Sequence, residues 1–376
     1  MDTLTLTAVE SPAEMQSFLD LPWGIYQDDP HWIPPLQKEL KRLLDPSVHP
    51  FWQFSRRRLL LARRGRKIVG RIAGIIDHNY NRFHDERMAG WGFFECDRDP
   101  EAAVALFDAV ADWGRQQGMT FLRGPLNPST NYEVGLLIQG FEHPPVFMLT
   151  YNPPYYPQLV ESAGFRKEKD LLSFRMDRSW QPPQWIQDTA RRIKEKSHIT
   201  VRPGNLKDFQ GELNLIKEIY HDAWFDNWGF VPMSDAEAVE MGRHLVRLVD
   251  SELIFIMHDG TEAVGAGIVV PDINPILKRL NGSFGGLGFL KALWYRRFLT
   301  GFRGLIFGIR REYQNLGLPL VAFDYLYNTL YSLKKFRRYY YLELGWNLED
   351  NDQINQWYLD GGVKPTKRYR VYRREL

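Results

Sequence analysis

Residues 59–77, LLLARRGRKIVGRIAGIID, recur in altered form as residues 253–272, LIFIMHDGTEAVGAGIVVPD. In each copy an apolar run rich in β-branched residues leads to a charged turn with glycine, and a second apolar run then ends in aspartate. This pattern is typical of a β-hairpin. Once one residue is allowed for in the turn, the copies match at these positions: Gly65 and Gly260, Val69 and Val264, Gly70 and Gly265, and Asp77 and Asp272.

Further matches flank both hairpins in the same order, at an offset of about 195 residues. Upstream, an aromatic residue, a β-branched residue and proline recur at 32–34 and 230–232. Downstream, each half closes with a helical stretch and a small-residue turn, at 159–165 and 357–363. Such a series indicates duplication of one fold. The alternative interpretation is that two independent α/β domains share a hairpin.

The junction between the copies is marked by Trp180-Gln181-Pro182-Pro183, because paired prolines interrupt regular structure. We therefore predict two domains, 1–180 and 181–376, in which helices are interleaved with strands. This order predicts an α/β fold of the mixed α+β type, each half having a mixed, mostly antiparallel sheet flanked by helices. The segment 274–303 has no counterpart in the first half and is predicted to be an insertion.

The composition is that of a globular protein. The chain has 376 residues, 44% of them hydrophobic, and its 48 basic against 46 acidic residues leave a net charge of +2. Near-neutral charge argues against a dedicated nucleic-acid binder. A lone cysteine, Cys96, excludes an internal disulfide and a cysteine-based zinc cluster, so a reducing compartment is expected. The sequence has neither a signal-peptide pattern nor an apolar run of about 18 residues, and we expect a cytoplasmic protein.

The stretch GLIFGIRREYQNLGLPLVAFDYLYNTLYSL, residues 304–333, predicts an anion site. An apolar strand ends at Ile309, and a helix begins at about Pro319. The loop between them contains Gln314, Asn315, Leu316, Gly317 and Leu318. Such a loop directs free backbone N–H groups and the positive end of the helix dipole at one point, which suits a phosphate or pyrophosphate. Many strand–loop–helix units bind nothing, and that is the alternative for this stretch taken alone.

A second set of residues follows at helical spacing: Asn351, Ile354, Tyr358, Gly362 and Val363. Together with the loop, this set resembles the GNAT superfamily of acyl-CoA N-acyltransferases. The phosphate loop of that superfamily is written Q/R-x-x-G-x-G/A, and here it reads Gln314-x-x-Gly317-x-Pro319. Its later helix is written N-x-x-A-x-x-x-Y-x-x-x-G-F, and the five residues stand in register with it. Ile354 and Val363 depart from that pattern. Pro319 is the departure that matters most, because a ring beside the pyrophosphate alters how closely it approaches.

The resemblance implies two tandem GNAT-like acyl-CoA N-acyltransferase domains. It implies that acyl-CoA or acetyl-CoA is the co-substrate, without a metal, and is bound by Ile309, the loop 314–319 and Asn351. It also implies that backbone N–H groups of 304–309 hold the thioester carbonyl and that Tyr358 donates a proton to the departing CoA sulfur. The general base stays open between Glu343, on the strand beside the cleft, and His221 or Asp222, on the first helix of the second half.

The first half resembles the same fold without the chemistry. Its equivalent strand, 90–96, is followed by Asp97-Arg98-Asp99-Pro100-Glu101, a loop without glycine whose three carboxylates repel a pyrophosphate. We expect these acidic residues to interact with the helix N-terminus instead. The prediction is therefore a degenerate N-terminal GNAT-like domain and one cofactor site.

The insertion 274–303 combines leucine and phenylalanine with six basic residues and no acidic one. This composition is typical of a segment that contacts anionic lipid or admits a long-chain substrate. The alternative is a helical pair that packs on the sheet and extends its cations into solvent. A GNAT-like chain with such an insertion resembles the bacterial ceramide synthase type, which joins a fatty acyl-CoA to a long-chain amino alcohol.

Three hypotheses follow for the function. The leading one is an acyl-CoA-dependent N-acyltransferase with a lipidic or amphipathic amine acceptor, such as a sphingoid-type amino alcohol, acting in the cytoplasm or peripherally at the inner membrane surface. The second is a tandem GNAT transferase that uses aminoacyl-tRNA. Basic clusters at 56–58 and 334–338 favour it, but the net charge of +2 opposes it and we expect no nucleic-acid partner. The third is a non-catalytic membrane-surface or regulatory protein that keeps the fold.

Overall fold

The computed structural model describes residues 2–286 and 288–376, with all their side chains except those of His244 and Phe289. Its α-helices are α1 (Pro12–Ile25), α2 (Gln37–Leu43), α3 (His78–His84), α4 (Pro100–Gln116), α5 (Tyr156–Ser162), α6 (Gln184–Lys196), α7 (Phe209–Trp224), α8 (Asp235–Leu245), α9 (Asn274–Leu280), α10 (Gly288–Arg296), α11 (Leu318–Ser332) and α12 (Asp352–Asp360). Its strands are β1 (Leu4–Ala8), β2 (Ser55–Arg64), β3 (Lys67–Asp77), β4 (Met88–Cys96), β5 (Phe121–Gly124), β6 (Leu126–Asn127), β7 (Glu133–Val134), β8 (Leu136–Gln139), β9 (Arg166–Asp177), β10 (Ile199–Pro203), β11 (Ile254–Asp259), β12 (Glu262–Pro271), β13 (Gly301–Ile309), β14 (Tyr341–Leu348) and β15 (Pro365–Glu375).

The strands of both halves form one mixed sheet. Within the described residues it has 13 strands in the order β1-β2-β3-β4-β5-β15-β9-β14-β13-β12-β11-β10, with β8 also paired to β15. The predicted hairpins are present as β2–β3 and β11–β12, both antiparallel. Most pairs are antiparallel, but β4 runs parallel to β5 and β13 runs parallel to β14. The predicted mixed α/β fold with helices flanking a mostly antiparallel sheet is thus confirmed.

The two halves exchange their last strands. β15, from the second half, pairs with β5 of the first half, while β9, from the first half, pairs with β14 of the second half. β9 and β15 also pair with each other, at the centre of the sheet. The predicted boundary at residue 180 falls in the connection between β9 and α6, yet the sheet is continuous across it. Each half therefore depends on the other for a strand neighbour.

The repeated aspartates occupy equivalent positions at the ends of the two hairpins. Asp77 accepts hydrogen bonds from the backbone N–H groups of Asn79 and Tyr80, and it caps α3. Asp272 accepts from the backbone N–H groups of Asn274 and Phe147. Both carboxylates are buried, and in each the hydrogen bonds satisfy backbone donors that would otherwise lack partners.

Helices cover the sheet with apolar faces at helical spacing. In the first half, α4 buries Leu106, Phe107 and Val110 completely. In the second half, α7 contributes Ile216 and Ile219 to the largest apolar cluster, which α8 and α11 extend. The helices of the second half leave a cavity against the sheet, and this cavity positions the site described next.

Candidate active site

A wedge opens between two parallel strands of the second half. Both strands are fully described, and β13 pairs with β14 over residues 301–303 and 341–343, after which the strands diverge. On its other side β13 stays paired with β12 as far as Ile309. A register shift between Ile268 and Val269 leaves Leu305 as an extra residue, a β-bulge. Backbone groups of 304–309 on the wedge side consequently have no partner in β14.

The wedge leads into a cavity of about 430 Å³. One wall is α7 with the segment 227–233, another is β13 and β14, and a third consists of α11 and α12. An apolar arm of the cavity extends between α7, α8 and the sheet, where it is lined by Leu206, Phe209, Leu213, Met241, Leu245, Val249 and Ile254. Among the described residues, Glu212 is the one carboxylate in the lining, and it forms an ion pair with Arg202 at 2.9 Å.

The predicted phosphate loop lies at the wide end of the wedge. Residues Arg311–Leu316 form a 3₁₀ turn, and α11 begins at Leu318, one residue before the prediction. Gly317 precedes the helix at a φ of +71°, a backbone conformation that glycine adopts without the strain that other residues incur. No side chain caps this helix N-terminus. Pro319 has no N–H, and the Leu320 N–H already donates to the carbonyl oxygen of Gly317 at 3.0 Å.

The residues of the loop take different positions. Ile309, Gln314 and Pro319 line the cavity, while Asn315, Leu316, Gly317 and Leu318 form the turn and the start of α11 beside it. The Gln314 amide donates to the carbonyl oxygens of Ile309 at 3.1 Å and Ala223 at 3.3 Å. Gln314 therefore fixes the loop to the end of β13 and to α7.

Tyr358 and Asn351 lie on the opposite side of the cavity, on and before α12. Asn351 caps α12 by accepting from the backbone N–H of Ile354 at 3.4 Å, and both predicted residues line the cavity. The Tyr358 ring stacks on Phe174 of β9, with centroids 4.5 Å apart. Burial raises the pKa of Tyr358 well above its usual value, although a hydrogen bond with Asn347 opposes the shift. The phenol is therefore neutral and able to donate a proton.

The three candidate bases do not line the cavity. Glu343 is fully buried inside the sheet, where its Oε1 accepts from Lys367 Nζ at 3.0 Å and Ser173 Oγ at 2.8 Å. Asp222 accepts from the backbone N–H of Arg311 at 2.9 Å and so holds the loop onto α7. His221 is half-buried behind Tyr220, and burial with the nearby Lys217 lowers its pKa, which leaves the ring neutral near pH 7. The structure does not bring these groups together with Tyr358.

Comparison with known proteins identifies the family. The chain is 31% identical over 379 residues to the bacterial ceramide synthase of Caulobacter vibrioides, with 99% of this chain and 98% of that protein covered. It is 32% identical over 373 residues to the protein YghO of Escherichia coli, with 96% of this chain and 93% of that protein covered. No family model matches the chain.

The chain belongs to the bacterial ceramide synthase family. Its fold is shared with a tandem GNAT protein from the clavulanic acid biosynthesis pathway, with a TM-score of 0.55 at 12% identity over 99% of this chain and 98% of that chain. The GNAT resemblance predicted from the two motifs is thus confirmed. As a member of the bacterial ceramide synthase family, the protein is an N-acyltransferase.

The corresponding wedge in the first half of this chain is filled. β4 and β5 also pair over three residues, 88–90 with 121–123, before they diverge. The chain after β5 then enters the gap, where Asn127 accepts from the backbone N–H of Phe93 at 2.7 Å. A Cβ on Gly92 would lie 1.8 Å from the Leu126 carbonyl oxygen, so the backbone segments touch.

The carboxylates of the acidic loop of the first half form hydrogen bonds and ion pairs with other groups of the protein. Asp99 accepts from the backbone N–H of Ala102 at 3.1 Å and forms an ion pair with Arg64, and Asp97 forms one with Lys67 at 2.6 Å. These positions are those expected for residues that stabilise a helix N-terminus. That the chain has one co-substrate site rather than two stays a prediction.

Several residues of the cavity had no signal in the sequence. The first half contributes Thr130, Asn131 and Tyr132, which lie against the segment 227–233 of the second half. Thr130 donates to the carbonyl oxygen of Gly229, and Tyr220 donates to Asn131 Oδ1 at 2.9 Å. A contact between positions so far apart in the chain leaves no local pattern that predicts it.

The insertion 274–303 contains α9 and α10, and its last three residues belong to β13. Leu287 of this segment lies outside the described residues. Arg303, one of the six basic residues counted in 274–303, is not an interfacial cation, because its side chain is 3% exposed and lines the cavity. No helix within the described residues is long and apolar enough to cross a membrane.

Proposed function

We propose that this protein transfers a long-chain fatty acyl group from a CoA thioester to a lipidic amine, with a sphingoid-type amino alcohol as the acceptor. The observation that carries the proposal is that the wedge and the apolar arm belong to one cavity. The wedge has backbone groups without a partner in β14, Tyr358 lies at its edge, and the arm gives a chain a mostly apolar path away from them. The name of the Caulobacter relative supports the same substrate class.

The reaction forms a C–N bond and breaks a C–S bond. The neutral amine attacks the thioester carbonyl, and backbone N–H groups of 304–309 on the wedge side stabilise the oxyanion that develops. The amine nitrogen loses a proton to solvent, and the tetrahedral intermediate then expels the CoA thiolate. The neutral Tyr358 hydroxyl gives the thiolate a proton and afterwards regains one from solvent, so the products are the amide and CoA thiol. The amide product and free CoA leave by the opening of the cavity.

The start of α11 suits the CoA pyrophosphate. Its backbone N–H groups have no side-chain cap, the helix dipole is positive at this end, and Gly317 lets the chain turn sharply. Pro319 removes one N–H at a position where it would lack a helical partner. Gln314 and Asp222 keep the loop in place through their bonds to the backbone.

The size of the apolar arm supports a long acyl or alkyl chain. The arm follows α7 from Trp224 at the wedge to Glu212 near its start, and the distance is roughly 18 Å because a helix rises about 1.5 Å per residue. Its lining is mostly apolar along this path, with Glu212 and Lys217 as charged members, so a methylene that enters it leaves water. An acetyl group would leave most of the arm empty.

We also propose that α10 rests on an anionic membrane surface. Leu290, Leu293 and Trp294 share one helix face and are 60%, 51% and 54% exposed, and Phe298 beyond the helix is 52% exposed. The inner face is held by Ala292 and Tyr295, which pack against the apolar core. Lys291, Arg296 and Arg297 stand among the exposed apolar residues. An exposed apolar face beside cations matches the chemistry of an anionic bilayer surface.

The function is tested by release of free CoA thiol from the purified protein. Palmitoyl-CoA and acetyl-CoA are each supplied with sphinganine, and the amide product is measured by mass spectrometry. We expect turnover with palmitoyl-CoA at a kcat/KM at least tenfold above that with acetyl-CoA. Absence of thiol release with every combination of thioester and amine would contradict the proposal.

A further inference from the structure

Arg303 occupies the vertex of the wedge. It is the last residue of β13 that pairs with β14, and its register partner is Glu343. The side chain is 3% exposed and lines the cavity. The proposed reaction does not use this guanidinium.

The guanidinium is buried without full hydrogen bonding. Its Nε and Nη1 have no partner among the described residues, and the same holds for Glu343 Oε2 and the Tyr369 hydroxyl beside it. A buried donor without a partner destabilises a protein, and charged donors do so most. Of these residues Arg303 lines the cavity, and its two unpaired donors indicate that something else bonds to the guanidinium.

The neighbouring carboxylates already have partners of their own. Glu343 Oε1 accepts from Lys367 and Ser173, and Asp272 accepts from two backbone N–H groups and the Tyr341 hydroxyl. The negative charges of Glu343 and Asp272 nevertheless keep the guanidinium in place, since burial among apolar residues lowers the pKa of Arg303 to about 10 and these charges oppose that shift. Arg303 is thus a fixed cation with donors to spare.

Arg303 and Tyr358 reach the cavity from opposite faces of the sheet. Tyr358 stacks on Phe174, whose register partner is Leu344, so it lies on the face of Leu344. Successive residues of a strand point to opposite faces of the sheet. Glu343 and its partner Arg303 therefore lie on the face opposite to Leu344 and Tyr358. The departing sulfur belongs on the side of Tyr358. The incoming amine therefore belongs on the side of Arg303.

We propose that Arg303 binds an oxygen atom of the acceptor, a hydroxyl or carbonyl oxygen on a carbon next to the one that bears the amine. The inference rests on the proposed function and adds a group that selects the acceptor. A guanidinium donates in a fixed planar fork, so it can hold such an oxygen and orient the adjacent amine towards the wedge. An amine without this oxygen leaves the buried donors unpaired and is rejected.

The test compares two acceptors of equal chain length, sphinganine and 1-aminooctadecane, with palmitoyl-CoA as donor. The wild-type protein is expected to prefer sphinganine at least tenfold in kcat/KM. Arg303→Met should reduce this preference at least tenfold, because kcat/KM should fall much more with sphinganine than with 1-aminooctadecane. Arg303→Lys should restore part of the preference. Arg71→Met, which removes a buried arginine of the first half, is the matched control and should keep the wild-type ratio.

Each other outcome overturns the inference. Equal kcat/KM of the wild-type protein for the two acceptors would overturn it without any variant. This comparison also tests the inference if Arg303→Met fails to fold. An unchanged ratio in Arg303→Met would overturn it as well. An equal fall with both acceptors would mean that Arg303 acts on the common thioester or on the fold. Failure of the proposed function looks different, because no amine would then be acylated.

Discussion

Tyr358 of the second half stacks on Phe174 of the first half, with ring centroids 4.5 Å apart and planes at 24°. Phe174 is fully buried on β9, the strand that the first half contributes beside β14. The proposed acid is therefore positioned by the strand exchange, and both halves of the duplication take part in one site.

Replacement of the Tyr358 hydroxyl tests the proposed acid. We expect Tyr358→Phe to lower kcat by about 100-fold, since general acid catalysis typically contributes 10²–10⁴ in rate. Affinity for CoA and the melting temperature should change little, because the ring stays stacked on Phe174. Thiol release measures the first effect and calorimetry the second. Undiminished turnover would remove Tyr358 from the role of acid.

Loss of the stacking partner should separate positioning from stability. Phe174→Ala removes a fully buried ring, and we expect the free energy of unfolding to fall by about 3–5 kcal/mol. In addition, kcat of the folded fraction should fall because Tyr358 loses its orientation. Phe18→Ala is the matched control, since Phe18 is equally buried but far from the cavity. Equal kcat in the two variants would show that Phe174 only stabilises the fold.

The exchange of strands predicts that neither half folds alone. Residues 1–180 leave β5 and β9 without β15 between them, and residues 181–376 leave β14 without β9. Exposed strand edges of this length promote aggregation. We expect each half to be insoluble when expressed alone and the two to co-purify when expressed together. A soluble, monomeric half with a cooperative thermal transition would contradict this.

The exposed face of α10 predicts binding to anionic vesicles. Leu290→Glu, Leu293→Glu and Trp294→Glu combined should weaken association with phosphatidylglycerol vesicles at least tenfold, because each change places a charge in the apolar face. The double variant Lys291→Gln with Arg296→Gln should instead make vesicle binding less dependent on salt concentration. Phe54→Glu, at an exposed residue of the first half, serves as control. Unchanged vesicle co-sedimentation of the triple variant would favour the packing role for α10.

A buried aspartate predicts a specific dependence of stability on pH. Burial raises the pKa of Asp77 from 3.8 to about 6 in the folded protein, despite its hydrogen bonds to α3. Between these values the folded state holds more protons than the unfolded state, so this group favours folding below pH 3.8 and loses that contribution as pH rises through 6. Asp77→Asn keeps an acceptor for the cap of α3. Relative to wild type, its free energy of unfolding should be about 1–3 kcal/mol more favourable to the folded state at pH 8 than at pH 4. Urea titrations at both pH values measure it, and a constant difference would contradict the shift.

The sequence by itself determined the features that local patterns encode. The repeated hairpins, the aspartates at their ends, the strand that stops at Ile309 and the turn at Gly317 were all predicted, because near neighbours fix such periodicities and turns. The spacing of Asn351 and Tyr358 predicted one helix, and the structure has Asn351 as the cap of α12 and Tyr358 on it, both beside the cavity. These elements sufficed to predict the duplicated GNAT fold.

Tertiary structure alone decided which groups meet. Glu343 and Arg303 are both charged residues on strands, but burial in the sheet pairs Glu343 with Lys367 and leaves two guanidinium nitrogens of Arg303 without a partner among the described residues. Phe174 and Asn131 carry no local signal, and they reach the site because the halves share one sheet. Pairing between distant strands depends on the apolar surface that the whole chain buries, and a pattern of neighbouring residues does not record it.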